Sequence, residues 1–403
     1  MIVKRVSKAQ GFDLITTLPQ AIIETILCLL PIEEAARTSI LSRAWRYKWT
    51  TIPKLWLCLA SVKRPSYMDV PDWWNHVSNL ERARRAKNLR CKLFYAIHQV
   101  LLLRQGPIHE FTLAMDAHDT CFEIDQIILH LSRNHPIKKL RFFFYGFTAI
   151  AYGLPLSFFS LDQLADLDLE HCAFNYKPIF SGFSSLTRLS LKSTRIYRET
   201  LLHLLSNCPS LKSLCLLLYE DDVLSDEKPS IMELFKCLPV LEHLTTWGYF
   251  IEVLVQASVP EEPPTSLIHL RYVCIEEMCF VDGYGLPFLV VLTRSCPNLE
   301  KIKLLNNTAW DDEIESSVLE ECSVLLEEYS DVWLEHLNEL EIKHFEGFAP
   351  ELEFVKFILA RSPNLKKVIL LTDMDDKDEE LELLKNLLSA PRASPVQIIV
   401  KYC

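Results

Sequence analysis

The chain has 403 residues, enough for a sizeable core and for more than one domain. Apolar types make up 49% of it and charged types 24%, an ordinary balance for a folded protein. The net charge of −11 opposes the broad phosphate-tracking surface that sequence-general nucleic-acid binding requires, so no nucleic-acid partner is expected.

At the N-terminus Lys4, Arg5 and Lys8 precede Leu14 without an apolar run, which is not a secretory signal. The longest apolar runs, such as Leu214 to Leu218 and Phe288 to Leu292, fall far short of the roughly 20 residues of a spanning helix. No membrane partner is expected, and the expected location is nucleus and/or cytoplasm. The odd count of 13 cysteines, scattered without any Cys-x-x-Cys, reads as reduced and mostly buried thiols.

From 12 to 57 the chain reads as three short helices. Leu18, Ile22, Ile23, Ile26, Leu27 and Leu30 recur at helical spacing, with Pro19 where a first-turn proline is tolerated. Pro31 stops that helix, and Ile32 to Ser39 form a second with Glu33 and Glu34 at the favourable end of its dipole. Ser42 would cap a third, on which Trp45 and Trp49, four residues apart, share one face. Three helices over about forty residues cannot bury six aliphatics and two indoles among themselves, so part of this apolar face meets something else. The alternative is a helical cap seated on a larger domain.

The order Leu-Pro, Ile-Ile, Ile-Leu, Leu-Pro, then Thr-Ser-x-Leu-Ser and Trp-Arg, resembles the F-box, and the closing WTTIPKLWL resembles its plant form. Ala44 departs from the basic residue that many relatives carry before Trp-Arg. The resemblance implies docking on a Skp-family adaptor through Leu18, Pro19, Ile22, Ile23, Ile26, Leu27, Leu30, Pro31, Ser39, Leu41, Trp45 and Trp49. Through that adaptor it implies a cullin.

Residues 58–107 read as a linker and a basic helix. Pro65 and Pro71 break periodicity, and a helix resumes at Ser78. Arg82, Arg84, Arg85, Lys87, Arg90 and Lys92 crowd its first half, while Leu89, Leu93, Ile97, Val100 and Leu101 supply an apolar stripe. A solvated face, or one that meets the acidic remainder of the chain, is favoured over an anion-binding or import patch.

From Ile108 one pattern returns: an apolar residue, two variable ones, then apolar-x-apolar. It starts at Ile108, Ile137, Leu164, Leu186, Leu211, Leu241, Leu270, Leu299, Leu337 and Leu365, so the steps are 29, 27, 22, 25, 30, 29, 29, 38 and 28 residues. Such periods announce a solenoid. Four copies share a lead-in: Asn207-Cys-Pro-Ser-Leu211, Cys237-Leu-Pro-Val-Leu241, Ser295-Cys-Pro-Asn-Leu299 and Arg361-Ser-Pro-Asn-Leu365. An ordinary doubly wound sheet would also alternate strand and helix, but would not repeat those words. The repeats resemble the irregular leucine-rich repeats of plant F-box proteins.

The expected fold is therefore α/β: a three-helix F-box at 12–57, then an irregular leucine-rich-repeat solenoid over 108–330 with parallel strands and helical or irregular returns. The 38-residue step holds an extra segment, 311–333, read as an insertion on the return side. Within 331–403, Leu337-Asn-Glu-Leu-Glu-Ile-Lys-His-Phe345-Glu-Gly347 followed by Glu351-Leu-Glu-Phe-Val-Lys-Phe357 resembles the FBD module of such proteins. Acidic residues from Asp373 to Glu380 would start a last helix, and Val396 to Val400 would close the sheet as an edge strand.

Side chains alternate along a strand, so residues flanking the inward leucines face the concave surface. Lys139, Arg141 and Phe143, then Asp166, Asp168 and Glu170, then Arg188, Ser190 and Lys192 would neutralise one another across strands, as would Lys301 and Lys303 against Glu339 and Glu341. Between these ladders His243, Trp247, Tyr272 and Glu276 make an aromatic patch, the candidate substrate contact. A return loop over Trp247 is the equal alternative.

Catalytic patterns are missing. Gly283-Tyr-Gly285 continues into Leu-Pro-Phe without a third glycine, and neither His-Glu-x-x-His nor Gly-x-Ser-x-Gly occurs. His171 beside Cys172 is too little for zinc. No enzyme, cofactor or metal is expected. The resemblance implies a substrate receptor of a Skp–cullin–F-box ubiquitin ligase that captures a protein substrate. The alternatives are a small-molecule sensor built on the same repeats, or a Skp-binding scaffold outside a ligase.

Overall fold

The computed structural model describes residues 17–58, 79–116, 121–145, 151–175, 183–224, 228–256, 267–280, 284–307, 326, 332–372 and 377–402. The start of the F-box-like stretch at 12–16, the loop at 64–74, most of 311–333 and the first acidic residues at 373–376 lie outside the described residues. The chain divides into two compact units, Met1–Ala117 with Cys121–Gly146 and His118–Thr120 with Phe147–Cys403.

In the first unit, α1 (Gln20–Leu27) starts on Pro19, whose carbonyl accepts the N–H groups of Ile22 and Ile23 at 3.0 and 3.2 Å. Pro31 ends the next turn and opens α2 (Ile32–Arg37) by accepting from Ala35 N–H at 2.9 Å. A 3₁₀ turn, Thr38–Ile40, continues it. The third expected helix is not an α-helix. Residues 41–47 run as turns into a 3₁₀ segment, Lys48–Thr51, because Trp45, Lys48 and Thr50 bond to carbonyls three residues back, those of Ser42, Trp45 and Tyr47. Both indoles are nevertheless buried, together with Ile23, Leu27, Ile32, Ala35 and Ile52.

The chain then enters a sheet. Strand β1 (Lys54–Cys58) pairs in parallel with β2 (Glu110–Asp116), setting Leu55 beside Phe111 and Leu57 beside Leu113, and β2 pairs in parallel with β3 (Lys139–Tyr145). The long helix α3 (Asn79–Leu103) and α4 (Phe122–Asn134) are the returns between them. Ile124, Ile127, Ile128 and Leu131 give α4 a buried stripe, and Pro136 follows its end. The F-box-like segment thus shares a compact unit with the first two repeats, and the compact units do not part near 65–71.

The second unit is a run of short strands. In chain order they are β4 (Tyr152–Gly153), β5 (Asp166–Glu170), β6 (Cys172–Ala173), β7 (Arg188–Lys192), β8 (Ser213–Leu217), β9 (His243–Trp247), β10 (Tyr272–Met278), β11 (Lys301–Asn306), β12 (Glu339–Lys343), β13 (Lys367–Thr372) and β14 (Gln397–Tyr402). From β5 through β7 to β14 each pairs in parallel with the next, while β4 pairs with β6. The 38-residue step leaves the ladder intact, since β11 meets β12 from Lys301 beside Glu339 through Leu305 beside Lys343. Returns include α5 (Arg198–Ser206), α6 (Ile231–Lys236), α7 (Gly248–Gln256) and α8 (Gly285–Ser295). Ser230 caps α6 reciprocally with Glu233, its hydroxyl accepting from Glu233 N–H at 3.3 Å while the carboxylate accepts from Ser230 N–H at 3.0 Å.

The repeated lead-in has a physical reason. Leu211, Leu241, Leu299 and Leu365 each send their N–H to the carbonyl three residues back, at 3.1 to 3.3 Å, from Cys208, Leu238, Cys296 and Ser362. Proline in the second place pre-sets such a turn, and each turn drops its leucine into the core. Farther on, the FBD-like segment is held by one carboxylate. Glu351, in the first turn of helix Ala349–Arg361, accepts from Gly347 N–H at 2.7 Å and Glu346 N–H at 3.2 Å, and from the Asn306 amide at the end of β11. Gly347 makes that turn possible at φ 78°.

Candidate functional site

Two surfaces answer to the sequence-derived sites. On α1 the helical stripe splits by face. Ile23 and Leu27 turn inward, whereas Ile22 and Ile26 are 46% and 42% exposed. Trp45 and Trp49 are core, Leu18 and Ser39 half-buried, and Pro19, Leu30, Pro31 and Leu41 exposed. Three further apolar side chains join the outward set: Leu29 at 82%, Ile40 at 87%, and Tyr47. Leu29 lies in the turn just past the end of α1. Ile40 and Tyr47 lie in non-α turns, where 3.6-residue spacing gives no signal.

The scaffold under this face is polar and local. Gln20 Nε2 donates to Glu24 Oε1 at 2.8 Å, Thr51 Oγ1 donates to the same oxygen at 2.6 Å, and Lys48 bonds to Gln20. Ser39 Oγ donates to the Arg46 carbonyl at 2.9 Å, tying the second helix to the turns that carry Trp45. A rigid support under exposed aliphatics is what a docking surface needs, and monomeric proteins seldom leave such side chains together in water.

In the second unit His243, Trp247, Tyr272 and Glu276 lie on adjacent strands as two pairs. The register sets Tyr272 beside His243 and Glu276 beside Trp247, so the pairs stand roughly 13 Å apart along the strands. Trp247 Nε1 donates to Glu276 Oε2 at 3.3 Å, and the His243 and Tyr272 rings are 6.0 Å apart. Burial, with Cys274 as a neighbour, raises the Tyr272 hydroxyl well above its usual pKa, so this phenol remains a donor.

Sequence reasoning missed the partners of Trp247. Tyr219 and Tyr249 pack against it with ring centroids at 4.7 and 6.4 Å, and against each other at 5.7 Å. Both tyrosines are exposed and Trp247 is half-buried between them. Tyr249 Oη accepts from Asn307 Nδ2 at 3.3 Å. A signal existed: the 30-residue offset that sets Ser213 beside His243 carries Tyr219 onto Tyr249.

Several of the ladder charges pair across strands. Lys301 Nζ lies 2.7 Å from Glu339 and 3.2 Å from Glu341, Lys303 Nζ 3.6 Å from Glu341, and Lys192 Nζ 3.8 Å from Asp168. In the first unit Lys139 pairs with Glu110 of the preceding strand at 3.0 Å. Among the described residues no group of three His, Cys, Asp or Glu could hold a metal ion, and no helix is long and apolar enough to cross a membrane.

Comparison with known proteins places these surfaces in context. The family profile for FBD-associated F-box protein At5g56370, LRR repeats, matches residues 126–246, and the FBD profile matches 333–370. The F-box/FBD/LRR-repeat protein At1g13570 of Arabidopsis thaliana is 31% identical over 95% of this chain and 97% of its own length. F-box/FBD/LRR-repeat protein At3g26920 of the same plant is 22% identical over 95% of this chain and 94% of its own. The probable FBD-associated F-box protein At1g32375 is 24% identical over 95% and 98%.

Proposed function

The chain belongs to the plant F-box/FBD/LRR-repeat family, and from that premise we propose that it is the substrate-receptor subunit of a Skp–cullin–F-box ubiquitin ligase. The F-box docks the Skp adaptor, the adaptor recruits a cullin, and the repeats present a protein substrate. The ubiquitin chemistry belongs to the partners, and the work is done in the nucleus and/or cytoplasm. One observation carries the reading: Ile22 and Ile26 of α1 stand exposed, as do Leu29 and Leu30 in the turn that follows it, while Ile23 and Leu27 are buried. The side chains that would meet the adaptor are therefore distinct from those that fold the segment.

Substrate capture is assigned to the Tyr219, Trp247 and Tyr249 cluster, because anchoring aromatics dominate interface energies. The test is affinity purification of the full chain from plant cells under proteasome inhibition. Ile22→Lys with Ile26→Lys should remove Skp and cullin while leaving substrate. Trp247→Ala should leave Skp and cullin and weaken substrate capture about 30-fold, the loss of about 2 kcal/mol. Skp without cullin would make the protein a scaffold, and retention of Skp by the double variant would refute the docking face.

A further inference from the structure

We propose that a cavity in the first unit, between the end of α3 and the end of α4, binds an oxyanion of the phosphate type. It has a volume of about 390 Å³ and is lined chiefly by Leu101, Arg104, Gln105, Pro107, His130 and His135. Its lining holds a guanidinium and two imidazoles and no carboxylate.

Arg104 is pinned by one end. Its Nη2 donates to the carbonyls of Ile52 and Pro107, the latter at 3.2 Å. Its Nε and Nη1 are buried and meet no acceptor among the described residues, and the same holds for His135 Nδ1. The His130 and His135 rings meet edge to face with centroids 5.4 Å apart. Asn134 Nδ2 lies 3.3 Å from His130 Nδ1, and an amide nitrogen only donates, so the neutral His130 ring carries its proton on Nε2. Buried polar atoms almost always find partners, and Arg104 Nε and Nη1 and His135 Nδ1 belong to two residues that line one cavity.

The electrostatics agree. Burial pushes the Arg104 guanidinium down to about 10. His135 is pushed down to about 4 by burial, then by His130 and Arg104, and His130 is lowered by burial and by His98 of α3. The carboxylate that reaches Arg104 is Glu24 of α1, and it does not line the cavity. Burial lowers all three groups, and His135 is lowered further by His130 and Arg104, so an anion shared among them would favour their charged forms. A phosphate supplies several acceptor oxygens to a planar fork of N–H donors and stabilises both imidazoliums. Since Arg104 also holds the Ile52 and Pro107 carbonyls, an anion here would stiffen the joint between the F-box end and β2. The site stands independently of the proposed ligase role.

The test is histidine-selective NMR and thermal melting of the full chain at pH 6.5, titrated with inorganic phosphate and, separately, with phosphoserine, against chloride at equal ionic strength. Phosphate should shift the His130 and His135 signals saturably towards the protonated ring and raise the melting temperature. Arg104→Gln should weaken binding by about tenfold or more. Because Arg104 also bonds to backbone, His135→Gln and His130→Gln serve where that variant fails to fold, and each should weaken binding with the fold intact. Tighter binding of phosphoserine identifies an esterified phosphate as the ligand, and tighter binding of inorganic phosphate identifies the free anion. A non-saturable response, a response equal to that with chloride, or undiminished binding in the histidine variants overturns the proposal.

Discussion

Glu351 is the residue whose chemistry is most at odds with its place. It is 3% exposed, and burial outweighs the backbone N–H groups of Gly347 and Glu346, so its pKa is raised from 4.5 to about 8. A carboxyl with a raised folded-state pKa binds its proton more tightly in the native state than in the unfolded chain. Its stabilising contribution is full below about pH 4.5 and is lost as pH rises through about 8. The melting temperature should therefore fall between pH 5 and 8.5, and Glu351→Gln, which fixes a neutral group that still accepts from both N–H groups, should flatten that fall. Parallel pH profiles for the two proteins would show that another group is responsible. The sequence marked this position only as part of an FBD-like string. Its pairing with Asn306, 45 residues away, is a tertiary fact that no local pattern carries. Trp247 is the converse, since strand alternation placed it, and only the 30-residue offset would have found its tyrosines.

Elements were legible where one period governed them. The lead-in turns and the alternation of β8 to β13 follow directly from leucine spacing and proline. The third F-box helix did not, because indoles at i and i+4 fit an α-helix in sequence while successive i to i+3 bonds carried both inward by a tighter path. The passage from β9 into α7 is another case of local detail deciding an element. Strand and helix abut at Trp247 and Gly248 with no connecting residue, and a Cβ on Gly248 would lie 2.1 Å from the Glu277 carbonyl oxygen. Glu277 itself sits at φ 54° where the register of β10 shifts. Gly248→Ala must therefore push two backbones apart, costing about 1–3 kcal/mol in urea denaturation. It should also weaken substrate capture, since Trp247 and Tyr249 flank it. An alanine variant as stable as wild type would mean that β10 yields there freely.

At the scale of the whole molecule, the repeats were predictable because a solenoid repeats one local solution, each strand meeting only its neighbours. The division of the chain was not, because β1 is built from the closing residues of the F-box yet pairs with β2 some fifty residues on, and a boundary signal such as Pro65 to Pro71 says nothing about which strands pair across it. That pairing puts the closing residues of the F-box in the same compact unit as the first repeats. Ile23 is fully buried, and Ile23→Ala should cost about 2–5 kcal/mol. If α1 and the sheet of the first unit share a core, amide exchange should accelerate together in α1, β1, β2 and α4, while β7 to β13 in the other compact unit keep their protection. If the F-box were instead a separate small domain, only residues up to about 57 would lose protection and β2 would stay as slow as in wild type. Hydrogen exchange on the Ile23→Ala chain separates the two, and loss of protection running through β2 is the expected result, since Leu55 and Leu57 lie in the same buried ladder as Phe111 and Leu113.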